Sequence, residues 1–167
     1  MKIYKLFLAS SICILFSCSR SNTKFLKKLQ DSVRFYSNQA NKNKVKYSTF
    51  YLSSITDFEW DKFYIFDEYV TNEMINEITG LKWDGSSVPA GNRRIIFIYK
   101  KDVVQYVDFE PYKFPVFFYT CGGTDQYEFS TQDDLFAVYQ RCDKNGCIYA
   151  MIPERCVKSL IKLHQAK

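Results

Sequence analysis

The sequence predicts a single α+β domain in which an antiparallel sheet packs against helices at both ends of the chain. The length of 167 residues suits one domain with a substantial core. Aromatic residues make up 18% of the chain, and they favour strands and large buried contacts. Segments with strand and helix patterns are mixed along the sequence, with no internal repeat and no linker between them.

The beginning of the chain has the pattern of an export signal. Lys2 and Lys5 precede an apolar run, residues 6–16, that is too short to cross a bilayer as a permanent helix. These features alone are also consistent with an ordinary secretory peptide that happens to contain a cysteine.

The end of this segment, Leu15-Phe16-Ser17-Cys18, resembles the lipobox of bacterial lipoproteins. A leucine stands three positions before the cysteine, and a small residue stands just before it. The resemblance implies a signal peptide over residues 1–17, a lipidated tether over 18–22 and one domain over 23–167. It also implies a diacylglycerol thioether on Cys18, whose acyl chains, such as palmitate, hold the protein on a membrane.

The same resemblance places the protein in the cell envelope. Ser19, directly after the lipidated cysteine, favours the outer membrane, on its periplasmic or surface side, by the rule known for some Gram-negative lipoproteins.

Positive charge is concentrated after the lipobox. Residues 20–46 hold eight basic residues and one acid, a net charge of +7, whereas residues 47–167 hold 13 basic and 17 acidic residues, a net charge of −4. We expect the cations nearest the tether to contact anionic lipid headgroups. These cations are Arg20, Lys24, Lys27 and Lys28. The alternative is a solvated helix face, since salt screens such contacts. Nucleic acid is not an expected partner of an exported, tethered chain.

An N-terminal amphipathic helix is predicted over residues 23–39. Its apolar residues recur at helical spacing: Phe25, Leu26, Leu29, Val33 and Tyr36. A strand is predicted over residues 45–55, where partial alternation includes several aromatic residues.

A central strand–helix unit is predicted next. Residues 60–66 are rich in aromatic and branched side chains on both faces, as expected of a strand covered on both sides. Thr71 or Asn72 caps a helix that ends at Gly80, whose backbone adopts the left-handed conformation.

A loop, a hairpin and an edge segment come after this unit. Residues 84–92 are rich in Gly, Ser and Pro and are predicted to be a mobile flap. Residues 94–100 and 103–109 are two apolar runs that predict a hairpin. Pro111 and Pro115 then indicate an irregular or edge segment.

The proline-rich segment carries the predicted partner surface. Its aromatic side chains would form an exposed contact patch: Tyr112, Phe114, Phe117 and Tyr119. This surface requires that the side chains be exposed, and burial of the same side chains under the sheet is the more common case, because large apolar patches are rare on monomers.

The C-terminal part is predicted to contain strands at residues 128–130, 135–142 and 147–152. Residues 143–146 form the loop of a hairpin, and a short helix spans 154–164.

Four cysteines remain after the lipobox. An even number outside the cytosol favours disulfides, and Cys142 and Cys147 flank a hairpin loop, which leaves Cys121 to pair with Cys156. A zinc site and free buried thiols are the alternatives. The zinc alternative is weakened because the cysteines form no second close pair.

Catalytic residues are not evident. His164 is the single histidine, and we expect it at the surface of a helix end. With no second histidine in the sequence, a Ser-His-Asp catalytic site is not expected. The remaining option is hydrolysis by carboxylates: Asp57, Glu59 and Asp61 on one strand, or Asp133 and Asp134. Such residues more commonly form the solvated side of a strand, and we expect no cofactor or metal.

Four segments, WDKFYIF, TNEMINEITGLKW, RRIIFIYKKDVVQYVDFE and YEFSTQDDLFAVYQ, resemble a family of small bacterial lipoproteins of unknown function. The resemblance covers most of the mature chain and implies a location in the cell envelope. Because no activity is known for the family, the resemblance assigns no functional residues. We therefore expect a non-catalytic binding or adaptor protein. The alternatives are an anchored hydrolase that uses carboxylates and an immunity or inhibitor-type lipoprotein.

Overall fold

A computed structural model of the protein describes residues 21–121, 128–144 and 146–165, and only the backbone of residues 160–165. Cys18 and Arg20 lie outside the described residues. The helices are α1 (Thr23–Lys42), α2 (Asn72–Thr79) and α3 (Glu154–Gln165). The strands are β1 (Ser48–Tyr51), β2 (Lys62–Phe66), β3 (Arg93–Tyr99), β4 (Asp102–Phe109), β5 (Val116–Phe118), β6 (Glu128–Ser130), β7 (Leu135–Asp143) and β8 (Gly146–Pro153).

The α+β fold class is confirmed, with two four-stranded sheets where one was predicted. The first sheet has the order β1-β7-β8-β5, and the second has the order β4-β3-β2-β6. Neighbouring strands are antiparallel except β5 and β8, which are parallel. A 3-10 turn, Thr131–Asp133, separates β6 from β7 and carries the chain from the second sheet to the first.

The main core lies between the two sheets and α1. Helix α1 contributes a buried stripe that includes Phe25, Leu29 and Val33. Aromatic rings fill the space between the sheets, where Phe63 stacks on Phe129 with ring centroids 4.6 Å apart. Burying such large apolar side chains is the main favourable contribution to the stability of this fold.

The second sheet is also covered on its other face. Tyr64, Ile96 and Ile98 point away from the main core and pack against Ile75 of α2 and against Val88. The prediction that residues 60–66 are covered on both sides is therefore confirmed, although β2 begins at Lys62.

Helix α2 begins and ends as its sequence predicts. The Thr71 side chain accepts a hydrogen bond from the amide of Met74 at 3.3 Å. Gly80 ends the helix with a φ of 70°, a conformation that costs glycine little because it lacks a Cβ atom.

The predicted flap is anchored at its centre. Val88 is buried, and its backbone exchanges two hydrogen bonds with Tyr69 and Val70 at 3.1 and 2.9 Å. The carbonyl of Ser86 accepts a hydrogen bond from the side chain of Arg94. The buried valine thus holds this loop against the second sheet.

Within the described part of the chain, no helix is long and apolar enough to span a membrane.

Candidate functional site

The aromatic residues of the predicted partner surface are divided between core and surface. Phe114 is 1% exposed and packs against Phe109 and Tyr149, so its assignment to a surface patch is wrong. Tyr112 and Tyr119 are 73% and 42% exposed. Strand alternation accounts for Phe117 and Tyr119, which point away from the core while Val116 and Phe118 of β5 are buried. Tyr112 lies in the turn before β5.

Phe117 occupies an intermediate position. Its ring is half-buried, and the guanidinium of Arg93 lies 5.2 Å from the ring centroid. Arg93 is also paired with Asp67 at 2.7 Å. Phe117 is therefore already in contact with a cation of the second sheet.

A cleft opens between the segment before β5 and the tip of the β7–β8 hairpin. It has a volume of about 370 Å³, and we call it the hairpin-tip cleft. Its lining combines apolar and charged side chains: Tyr112, Pro115, Arg141, Asp143, Gly146, Cys147 and Ile148. Ile148 is 44% exposed and adds an apolar side chain to the wall of this cleft.

Two disulfides are present in the structure. Cys142 is bonded to Cys147, directly opposite it in the β7–β8 ladder, and Cys121 is bonded to Cys156. These are the pairs that the cysteine spacing favours. The Cys142–Cys147 bridge fixes one wall of the hairpin-tip cleft.

A second cleft, of about 350 Å³, lies at the corner where the chain passes between the sheets. We call it the corner cleft. Its lining includes hydroxyl, carboxylate and aromatic side chains: Ser53, Thr56, Phe58, Glu59, Trp60, Tyr99, Thr131 and Asp134. Two of the five carboxylates considered for catalysis, Glu59 and Asp134, therefore line one cleft.

Four of those five carboxylates have contacts that stabilise the fold. Asp57 pairs with Lys24 at 2.7 Å, and this hydrogen bond is the main reason that its pKa is lowered. Asp61 accepts a hydrogen bond from the amide of Lys100 at 2.5 Å.

Asp133 and Asp134 stabilise the turn at which the chain passes from the second sheet to the first. Buried Asp133 accepts hydrogen bonds from Arg155 at 2.8 Å and from the amide of Ser130 at 3.0 Å. Asp134 accepts from the amide and the hydroxyl of Ser53 at 2.7 and 2.6 Å. These four carboxylates thus join neighbouring segments, and Asp134 also lines the corner cleft with Glu59.

A buried charged cluster lies on the outer side of the second sheet. Arg94 is 1% exposed, and its guanidinium donates to both oxygens of Asp108 at 2.6 and 2.8 Å. The rings of Trp83 and Tyr106 lie 5.5 and 4.7 Å from the guanidinium carbon. This cluster holds the loop after α2 against the hairpin.

A second polar group is buried close to β6. Burial, with a hydrogen bond to Glu128, raises the pKa of Tyr64 to about 12. Glu128 is also paired with Lys62 at 2.6 Å, and this contact is the main cause of the lowered pKa of its carboxyl group.

The described residues contain no group of three His, Cys, Asp or Glu side chains that could hold a metal ion. The side chain of His164 lies outside the described residues, so its predicted position at the helix surface stays a prediction.

Three of the four predicted membrane-contacting cations belong to α1. Lys24 and Lys28 both lie within 4 Å of Asp57, at 2.7 and 3.7 Å, and Lys27 is exposed. The lipidation site Cys18, like Arg20, precedes the described part, and its modification stays a prediction.

Comparison with known proteins finds no match for the chain among protein-family models, curated proteins or solved structures.

Proposed function

We propose that the protein is a lipid-anchored component of the cell envelope that binds another envelope protein and catalyses no reaction itself. The resemblance of residues 15–18 to a lipobox supports the anchor. The observation that carries the binding role is the hairpin-tip cleft, with exposed Tyr112 and Ile148 on its walls.

The chemistry of this cleft suits a protein partner. Tyrosine and arginine are among the residue types enriched at the energetically dominant positions of protein interfaces, and the lining contains Tyr112 and Arg141. Tyr112 presents a large apolar ring with a polar end, and Ile148 adds apolar area beside it. The Cys142–Cys147 bridge and the paired strands hold one wall in a fixed shape, which lowers the entropy cost of binding.

Site-specific cross-linking in the envelope tests this proposal. A photoactivatable amino acid is placed at Tyr112 in the full, acylated protein. The matched control position is Tyr51, which is 56% exposed and lies on β1, at the opposite edge of the first sheet. We expect one discrete adduct from position 112 that is absent from position 51.

A second variant connects the adduct to the cleft. Ile148→Asp places a charge at the apolar wall, and we expect it to reduce the yield of the adduct at least tenfold while the level of the protein stays unchanged. Equal adducts at positions 112 and 51, or an adduct that is insensitive to Ile148→Asp, would contradict the proposal. An immunity or inhibitor-type protein would use the same surface, and the identity of the adduct distinguishes it from an adaptor.

A carboxylate-dependent hydrolase is the second candidate because Glu59 and Asp134 line the corner cleft together. Purified protein is incubated with isolated envelope glycan, and release of reducing ends is compared between the natural sequence and Glu59→Gln. Release that depends on Glu59 would favour the hydrolase over the binding protein.

A further inference from the structure

The outer face of α1 is positively charged along its length. The residues opposite the buried stripe are exposed, and they include four cations and one acid. They are Lys24, Lys27, Asp31, Arg34, Phe35 and Lys42. Lys24 is engaged by Asp57, whereas Lys27, Arg34 and Lys42 form no ion pair among the described residues.

A large aromatic side chain lies in the middle of this charged face. Phe35 is 60% exposed, and its ring meets the edge of Tyr36 with centroids 5.2 Å apart. Tyr36 in turn stacks on Phe50 of the main core. Helices that lie in a membrane interface carry Lys and Arg on one face and aromatic or apolar residues on the other. The apolar stripe of α1 is buried in the core, so its outer face offers a lipid surface cations and the ring of Phe35.

The chain reaches this helix from a position close to the proposed anchor. The amide of Asn22 donates to the carbonyl of Tyr106 at 2.9 Å, and the amide of Asp108 donates to the hydroxyl of Ser21 at 2.9 Å. Asn22 also caps α1 by accepting from the amide of Phe25 at 2.9 Å. Ser21 and Asn22 are therefore fixed to β4.

This attachment leaves a short connection. Three residue steps separate Cys18 from Ser21, and a fully extended chain spans at most ~3.6 Å per step, so the body begins within about 11 Å of the lipid. That distance is close to the Debye length of about 8 Å at physiological salt, at which anionic headgroups still attract cations.

We propose that the outer face of α1 lies on an anionic lipid surface, with Phe35 at the level of the headgroups. This inference rests on the proposed lipid anchor and adds the orientation of the body: α1 faces the bilayer, and α2, on the far side of the second sheet, faces away. The occupant of the face is the membrane that carries the anchor.

Fluorescence of the acylated full protein in vesicles tests the orientation. A fluorescent, environment-sensitive amino acid replaces Phe35 and, as the control, Tyr69, which is 69% exposed beside α2. Vesicles contain phosphatidylcholine alone or equal parts of phosphatidylcholine and phosphatidylglycerol, with brominated lipids as quenchers. We expect severalfold stronger quenching at position 35 than at position 69, and only in the anionic vesicles.

Charge reversal identifies the face responsible. The double variant Lys27→Glu, Arg34→Glu is expected to abolish the difference in quenching between positions 35 and 69. Added salt is expected to abolish it as well, because salt screens the attraction of the cations to the headgroups. The matched control Lys101→Glu, Lys144→Glu makes the same change in net charge at two exposed positions away from α1 and is expected to leave the difference intact.

Two results would overturn the proposal, and they are distinguishable. Mass spectrometry that finds Cys18 unacylated overturns the anchor and this orientation together. If Cys18 is acylated but quenching is equal at positions 35 and 69, or is unaffected by Lys27→Glu, Arg34→Glu, the orientation is wrong and the anchor stands.

Discussion

The buried guanidinium of Arg94 is stabilised by a complete set of partners. Asp108 accepts two of its hydrogen bonds, the carbonyl of Ser86 accepts another, and the rings of Trp83 and Tyr106 lie beside the charge. A buried charge costs several kcal/mol in lost hydration, so each partner offsets part of that cost.

Removing Arg94 alone should therefore be more damaging than removing the pair. We expect Arg94→Leu to lower the free energy of unfolding by about 3–5 kcal/mol, since Asp108 keeps its charge without a partner. The double variant Arg94→Leu, Asp108→Leu should recover part of that loss. Urea unfolding of both variants measures the difference. Equal stability of the two variants would show that the ion pair is not the source of the loss.

Tyr64 makes a contribution to stability that depends on pH. Burial and the hydrogen bond to Glu128 raise its pKa to about 12, above the ordinary value of 10. A raised pKa means that the folded state favours the neutral phenol. The contribution is thus complete below pH 10 and is lost as the pH rises from 10 towards 12.

Tyr64→Phe should remove this alkaline dependence. We expect the variant to lose about 1 kcal/mol at neutral pH, where the hydrogen bond is missing. Between pH 10 and 12 it should then lose about 2–3 kcal/mol less than the natural sequence. Urea unfolding of the natural sequence and of Tyr64→Phe, at neutral pH and between pH 10 and 12, measures the two effects. Tyr139, whose pKa is also raised to about 12, is present in both proteins and cancels in the comparison.

The position of Arg94 could not be predicted from the sequence alone. A two-residue turn at Lys100 and Lys101 sets the hairpin register at Tyr99 opposite Asp102, and an unbroken ladder would place Arg94 opposite Val107. A bulge between Phe97 and Ile98 shifts the register, and Arg94 instead lies opposite Asp108. No local sequence signal marks that bulge.

At the scale of elements, local patterns predicted the helices well. The apolar stripe and the capping residues of α1 and α2 are encoded within a few residues of each other, and both helices form where they were predicted. The anchor of the loop at residues 84–92 was missed because it depends on distant residues: Val88 contacts Val70 and, with it, the second sheet.

The two disulfides should differ in their contribution to stability. Cys121 and Cys156 are 35 residues apart, whereas Cys142 and Cys147 are five apart. In the chain-entropy account a longer closed loop restricts the unfolded chain more, which predicts about 4 kcal/mol for the first bridge and about 2 kcal/mol for the second.

Alanine variants test this order. Cys121→Ala, Cys156→Ala should destabilise the protein more than Cys142→Ala, Cys147→Ala in chemical unfolding under oxidising conditions. Cys156 is fully buried, so its truncation adds a packing loss in the same direction. A larger loss for the hairpin pair would show that loop length does not determine the contribution.

For the whole molecule, the fold class was predictable and the division into two sheets was not. Strand patterns reveal which segments are extended, but partners are chosen by packing between distant segments. The short turn Thr131–Asp133 looks like a minor interruption in the sequence, yet it moves the chain from one sheet to the other. The candidate clefts depend on that division, since one lies at the corner and the other at a sheet edge.

The strand order of the first sheet has a consequence for biogenesis. Among the described strands, β1 pairs only with β7, whose residues are synthesised long after α1 and β1. A chain that is synthesised from its N-terminus must therefore keep the edge of β1 without its strand partner until β7 emerges, although Phe50 can already pack against Tyr36 of α1. Such delayed pairing slows folding and leaves an open strand edge that favours aggregation, so a chain exported as proposed should depend on holding chaperones before β7 is in place.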